Sequence, residues 1–250
     1  MVKARLGDKL LDLLEFFNGG NRNLAQIDYF RLRRLLFGES ELELELLPES
    51  CWQPEKLDFV KAAVADTERL NGDICELGVF QGGGTLRMAK ILRILESGRK
   101  IWALDSFQGF PSVDEKDRMT DGSFHAKPGA FTNTSRLEIE KLARLYGVDS
   151  WIHLVEGRFD ETAPRVFSDD ISFSLVVSDC DLYEGTKFCL EFFYDRLITG
   201  GYFILDDYGV PVGQGPDTYP GVRRAADEYL RNKPESPIHA AHSMWYFVKQ

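Results

Sequence analysis

Two short acidic runs carry most of the chemistry this chain could perform. Val177-Ser178-Asp179-Cys180-Asp181-Leu182-Tyr183-Glu184 and Leu205-Asp206-Asp207-Tyr208 each end an apolar stretch in a pair of carboxylates. If the two stretches are neighbouring strands of one parallel sheet, Asp179, Asp181, Asp206 and Asp207 converge at one edge of a crevice. Carboxylates that close repel and raise one another's proton affinity, so a bound cation or a shared proton is the economical explanation. Oxygen-only ligands favour Mg²⁺, with Mn²⁺ or Ca²⁺ as substitutes, over zinc. A single Asp at a strand end would more simply cap a turn. Two pairs beside a glycine loop point to a site.

That loop is Glu76-Leu77-Gly78-Val79-Phe80-Gln81-Gly82-Gly83-Gly84-Thr85, which runs from a short apolar strand into a helix. Ligands of a doubly wound sheet collect at the carboxyl ends of its strands, and glycine there lets backbone approach a ligand closely. Gly78 and Gly83 fit the outer positions of a dinucleotide fingerprint, but its middle glycine is Phe80. A phenyl ring where a pyrophosphate must touch backbone argues against NAD and FAD, and no GxxxxGK[ST] is present for a nucleoside triphosphate. The next strand ends in Asp105, where an acid would accept hydrogen bonds from the ribose hydroxyls of an adenosine. A Glu-x-Gly loop followed by such an acid resembles the class I methyltransferase plan for S-adenosylmethionine.

Other titratable side chains are weaker candidates. His125, in a glycine- and proline-rich stretch, is the one rival to an aspartate as a base. His153 falls inside a strand, and His239 and His242, three apart in a strand, would face opposite sides. Cys51, Cys75, Cys180 and Cys189 form no CxxC pair and no zinc-like spacing with histidine, so reduced, buried thiols in a cytoplasmic protein are expected.

Strands at 73–79, 101–105, 151–155, 172–178 and 202–206 alternate with helices that start near residue 57, at 84–95, 135–146, 186–197 and 222–230. This rhythm predicts a parallel sheet covered on both faces. Residues 238–242 and 245–248 are close enough to form a hairpin, an antiparallel edge. The expected fold is therefore α/β, doubly wound, with a seven-stranded, mostly parallel Rossmann-like sheet, an antiparallel C-terminal edge hairpin and an N-terminal helical extension. In that extension, 1–54, Leu6, Leu10, Leu13, Leu14 and Phe17 repeat at helical spacing, and a second helix is expected over 24–37. Residues 55–250 form the main domain. Two loops, 108–134 and 208–221, are long enough to be lids or binding loops.

Composition bounds the partners. Two hundred and fifty residues suit one α/β domain with extensions. A formal charge of −10 opposes non-specific attraction to nucleic acid. No uncharged run reaches the roughly 20 apolar residues of a membrane helix, and the N-terminus lacks the layout of an export signal.

Taken together, 73–85, Trp102-Ala103-Leu104-Asp105-Ser106-Phe107-Gln108-Gly109, Glu156-Gly157-Arg158-Phe159, 179–186, Gly200-Gly201-Tyr202 and Asp206-Asp207-Tyr208-Gly209 resemble the macrocin O-methyltransferase family of metal-dependent antibiotic-sugar methyltransferases. The resemblance spans roughly 55–250. It implies Mg²⁺ ligands at Asp179, Asp206 and Asp207 and a general base at Asp181, with Asp179 beside the reaction. It further implies S-adenosylmethionine contacts from Glu76, Gly78, Val79, Phe80, Thr85, Asp105, Ser106, Gly157, Phe159 and Asp179. A small glycosylated or vicinal-diol acceptor and a homo-oligomer, a dimer, follow from the same resemblance. Two departures, Cys180 where the pattern has glycine and Gly185 where it often has serine, remove no carboxylate. The rival readings are a binding subunit that has lost catalysis and another metal-dependent enzyme on the same fold.

Overall fold

The computed structural model describes residues 50–211, 215 and 217–250. The helices expected within 1–49, and with them nearly all of the expected extension, lie outside the described residues. The chain continues through α1 (Pro54–Asp66), β1 (Asp73–Leu77), α2 (Gly83–Ile94), β2 (Ile101–Asp105), α3 (Arg136–Leu145), β3 (Ile152–Glu156) and α4 (Phe159–Val166). It ends with β4 (Phe173–Ser178), α5 (Tyr183–Phe193), β5 (Leu197–Leu205), α6 (Pro220–Leu230), β6 (Ile238–Ala241) and β7 (Met244–Val248).

Seven strands form one sheet in the order β3-β2-β1-β4-β5-β7-β6. The pairs among β1 to β5 are parallel, whereas β7 runs antiparallel to both β5 and β6. β4 lies at the centre and is buried on both faces along its whole length. Its side chains alternate as strand geometry demands: Leu175 and Val177 join the core beneath α1 and α2, while Val176 joins the core on the opposite face with Phe193 and Phe247. Burial of each such Leu, Val or Phe contributes roughly 2 kcal/mol of transfer free energy. Strand order reverses between β1 and β4, so a crevice opens at their carboxyl ends, where both the glycine loop and the first acidic pair emerge.

Three features differ from the sequence expectation. Helix α4 follows β3, in a stretch where Pro164 inside the helix masks the helical pattern. β5 begins at Leu197, a residue expected to close the preceding helix, and runs through Gly200-Gly201. That glycine pair is a bulge and not a turn: the register with β4 shifts between Phe173 and Leu175, and a Cβ on Gly201 would lie 2.9 Å from the Ser174 carbonyl oxygen. The loop 108–134 is not structureless either. Asp114 and Asp117 form a capping box around a 3₁₀ turn, and the buried Asp117 carboxylate accepts from the Tyr183 amide at 2.7 Å, which ties the loop to the first turn of α5.

Candidate active site

The first half of the site is the turn between β1 and α2. Gly78 has φ +94°, and a Cβ there would come within 1.9 Å of the Asp179 carbonyl oxygen, so only glycine lets the β1 loop lie on the end of β4. The loop is held by Asp105. Its Oδ2 accepts from the amides of Val79 at 2.8 Å and Phe80 at 2.9 Å, and its Oδ1 accepts from Phe107 at 2.8 Å. The carboxylate expected to face a ribose thus already serves three backbone donors. Glu76, on β1, is fully enclosed, and burial pushes its carboxyl up to about 8 although the Thr85 hydroxyl donates to it. Thr85 sits behind Glu76, away from the cleft. Gly84 leaves the space that Glu76 and the Trp52 ring share.

The second half is acidic. Oxygens of Asp179, Asp181 and Asp207 all lie within 4.8 Å of one another. Asp181 and Asp207 both hold left-handed backbone, φ +60° and +53°. Burial, then the neighbouring aspartates, holds Asp179 and Asp181 far above the usual carboxylate range. Asp206 stands apart from this trio. Its Oδ1 lies 2.5 Å from the Lys56 ammonium, with Asp207 Oδ1 at 3.6 Å from the same nitrogen. Burial pushes the Asp206 carboxyl up to about 6, helped by the Asp207 charge and opposed by Lys56. Burial alone would lower the Lys56 ammonium, but Asp206 and Asp207 outweigh it and raise its proton affinity.

Residues that the sequence reading missed brace this half. Trp52 Nε1 donates to Asp179 Oδ2 at 2.8 Å, although residue 52 falls in the expected extension. Lys56 belongs to the first turn of α1. Ser243, in the β6–β7 turn, donates its hydroxyl to Asp207 Oδ1 at 2.7 Å. The Lys56 signal was present in the chain: it shares the helical stripe of Val60 and Val64, where a lysine needs a buried partner.

Both halves open into one cavity of about 670 Å³. Ser106, Gly157 and Phe159 line it near the glycine loop, with Val79 and Phe80; Cys51 and Tyr219 line it near the carboxylates. Contrary to expectation Cys51 is exposed, while Cys75, Cys180 and Cys189 are buried; partial desolvation, then the charges of Asp179, Asp181, Asp206 and Asp207, pushes the Cys51 thiol up to about 11. Phe131 packs edge-on against Phe80 and Phe110, so the loop 108–134 covers the glycine turn. His125 is exposed, does not line the cavity, and meets it only through an edge contact with Tyr219.

This strand order, with a Glu-x-Gly turn after β1 and an acid ending β2, is the class I methyltransferase architecture. The family model described as macrocin O-methyltransferase (TylF) matches residues 54–242, and the chain belongs to that family. It is a member of the S-adenosylmethionine-dependent O-methyltransferases. The chain is 31% identical over 184 residues to demethyldecarbamoylnovobiocin O-methyltransferase of Streptomyces niveus, covering 70% of this chain and 69% of that one. The solved structure of the O-methyltransferase NovP superposes with a TM-score of 0.65 at 27% identity, covering 79% of this chain and 80% of that one. CalS11, a calicheamicin methyltransferase, is alike in fold, with a TM-score of 0.69 at 23% identity over 98% of this chain and 91% of that one.

Proposed function

We propose that this protein transfers the methyl group of S-adenosylmethionine to a hydroxyl of a small glycosylated or vicinal-diol metabolite, a sugar of a natural product, with a divalent cation in the acidic half of the cleft. The observation that carries this reading is the convergence of Asp179, Asp181 and Asp207 in the same cavity as the glycine turn. The acceptors printed in the names of the relatives support the acceptor class.

The donor set fits a hard cation such as Mg²⁺. Every candidate ligand is a carboxylate oxygen, and Lys56 pairs with two of the four acids, Asp206 and Asp207. Asp179 and Asp207 would hold the ion together with Asp206 once Lys56 releases it. The convergence of Asp181 on the same point favours a second reading in which Asp181 is the third ligand. When bound, such an ion stabilises a deprotonated acceptor oxygen and fixes adjacent hydroxyls by chelation.

Asp181 takes the acceptor proton in this proposal, and burial with its aspartate neighbours raises its proton affinity in the direction that a base requires. Glu76 and the glycine turn orient the methyl donor, with Ser106, Gly157 and Phe159 along its nucleoside. The loop 108–134 excludes water. A homodimer and a cytoplasmic setting belong to the same reading; light scattering and cell fractionation test them. Among the described residues no helix is long and apolar enough to cross a membrane.

The deciding experiment is calorimetric titration with S-adenosylhomocysteine in Mg²⁺, followed by a methyl-transfer assay before and after EDTA treatment. No heat of binding would end the methyltransferase reading of this site. Full activity after EDTA would remove the cation and leave the fold assignment standing.

A further inference from the structure

Most tyrosine hydroxyls of this protein that approach a carboxylate are bonded to it. Tyr183 donates to Glu228, Tyr194 to Glu235, Tyr202 to Asp66 and Tyr208 to Asp227. Tyr219 differs. Its side chain lines the cleft, and its hydroxyl has no hydrogen-bond partner among the described residues. Burial, then the charges of Asp181, Asp207 and Asp179, keeps that hydroxyl protonated. The ring is half-buried, and its hydroxyl, committed to no protein group among the described residues, is free to donate to a molecule bound in the cleft.

The ring is also firmly presented. Tyr219 immediately precedes Pro220, the first residue of α6, and a proline restricts the backbone of the residue before it. Gly221 packs so closely on Asp117 that a Cβ would come within 1.8 Å of Asp117 Oδ1, so the start of α6 cannot slide. On its outer side the ring meets the edge of His125, with centroids 5.1 Å apart and planes at 90°. His125 belongs to 108–134 and Tyr219 to 208–221, so this contact joins the two long loops across the mouth of the cleft.

We propose that Tyr219 is an acceptor-recognition residue: its phenol donates to an acceptor oxygen adjacent to the hydroxyl being methylated, while its ring covers one face of the acceptor. The inference rests on the sugar or vicinal-diol reading above and extends it to a named contact. A sugar suits such a wall, because its C–H face packs on an aromatic ring while its hydroxyls bond the polar tip. Recognition of this kind discriminates by about the worth of one hydrogen bond, since an analogue lacking the second oxygen gives the phenol no ligand acceptor.

The test uses methyl α-L-rhamnoside, an uncharged glycoside with vicinal hydroxyls, titrated by NMR into the protein saturated with S-adenosylhomocysteine and Mg²⁺. Tyr219→Phe is expected to bind the rhamnoside roughly 3- to 10-fold more weakly, the loss of one hydrogen bond, with S-adenosylhomocysteine affinity and Tm unchanged. Tyr219→Ala should lose more, because the ring contact goes with the hydroxyl. Equal rhamnoside affinity in wild type and Tyr219→Phe would overturn the proposal. Wild-type protein that binds S-adenosylhomocysteine but no rhamnoside would overturn the sugar reading itself, and Tyr219 recognition with it.

Discussion

The two halves of the cleft are built on opposite terms. Around the glycine turn every acid has a donor: Asp105 accepts from three amides, and Glu76 accepts from Thr85. At the ends of β4 and β5 four carboxylates crowd together, two of them on left-handed backbone and two paired with Lys56, and the bracing comes from distant segments through Trp52, Lys56 and Ser243. The contrast teaches that the methyl-donor side is finished by the fold alone. The acidic side holds mutual repulsion that Lys56 offsets at Asp206 and Asp207 only, and that the proposed cation would relieve. Stability given up in this way is common where a site must bind charge.

The largest expected effect tests the division of labour among the acids. Asp181→Asn should lower the maximal rate by roughly 10²- to 10⁴-fold while leaving Mg²⁺ and S-adenosylhomocysteine affinities nearly unchanged. Asp206→Asn should instead weaken Mg²⁺ binding, with activity partly restored by excess metal. If calorimetry shows that Asp181→Asn is the variant with weakened Mg²⁺ binding, Asp181 is a ligand and Lys56 keeps Asp206 for a structural task.

A smaller effect separates the halves by its sign. Without ligands, Asp179→Asn should stabilise the protein, because it removes one of the repelling charges while the new amide oxygen still accepts from Trp52. Asp105→Asn should destabilise by about 1 kcal/mol, because one of its two bonded oxygens becomes an amide nitrogen that cannot accept. Urea denaturation of both variants reads the contrast directly, and two shifts of the same sign would break it.

A pH-dependent effect qualifies the completeness of the donor side. Glu76 is raised to about 8 in the folded protein from an ordinary value of 4.5, so the folded state binds its proton more tightly than the unfolded one. Its contribution to stability is therefore full below about pH 4.5, falls as pH rises, and is gone above about pH 8. Glu76→Gln should gain on wild type across that window and level off above it. A stability difference between the two that stays constant with pH would mean Glu76 is ionised throughout.

Much of this arrangement is legible in the chain. Strand ends are easy to find when an apolar run stops at an acid, as at Asp105, Asp179 and Asp206, and the 172–178 run is continuously apolar, which agrees with the burial of β4 on both faces. The order of strands puts Asp179 beside Gly78, a consequence of parallel topology that needs no alignment. Other parts resisted for physical reasons. Pro164 hid α4, and Gly200-Gly201 masked the first half of β5, because glycine inside a strand weakens its pattern. Lys56, Trp52 and Ser243 act over 127 residues or more in two of the three cases, and nothing local in Trp52 or Ser243 announces an aspartate partner.

Gly78 lying on the Asp179 carbonyl has an implication for redesign. Because main chain rests on main chain there, the spacing between donor loop and acidic edge is set by the sheet, as a jig sets the gap between two tools. The loop 108–134 and the described residues of 208–221 hang from the same sheet but do not form that joint. A chimera carrying those loops from a relative with a different acceptor would change what is gripped without retuning the stroke.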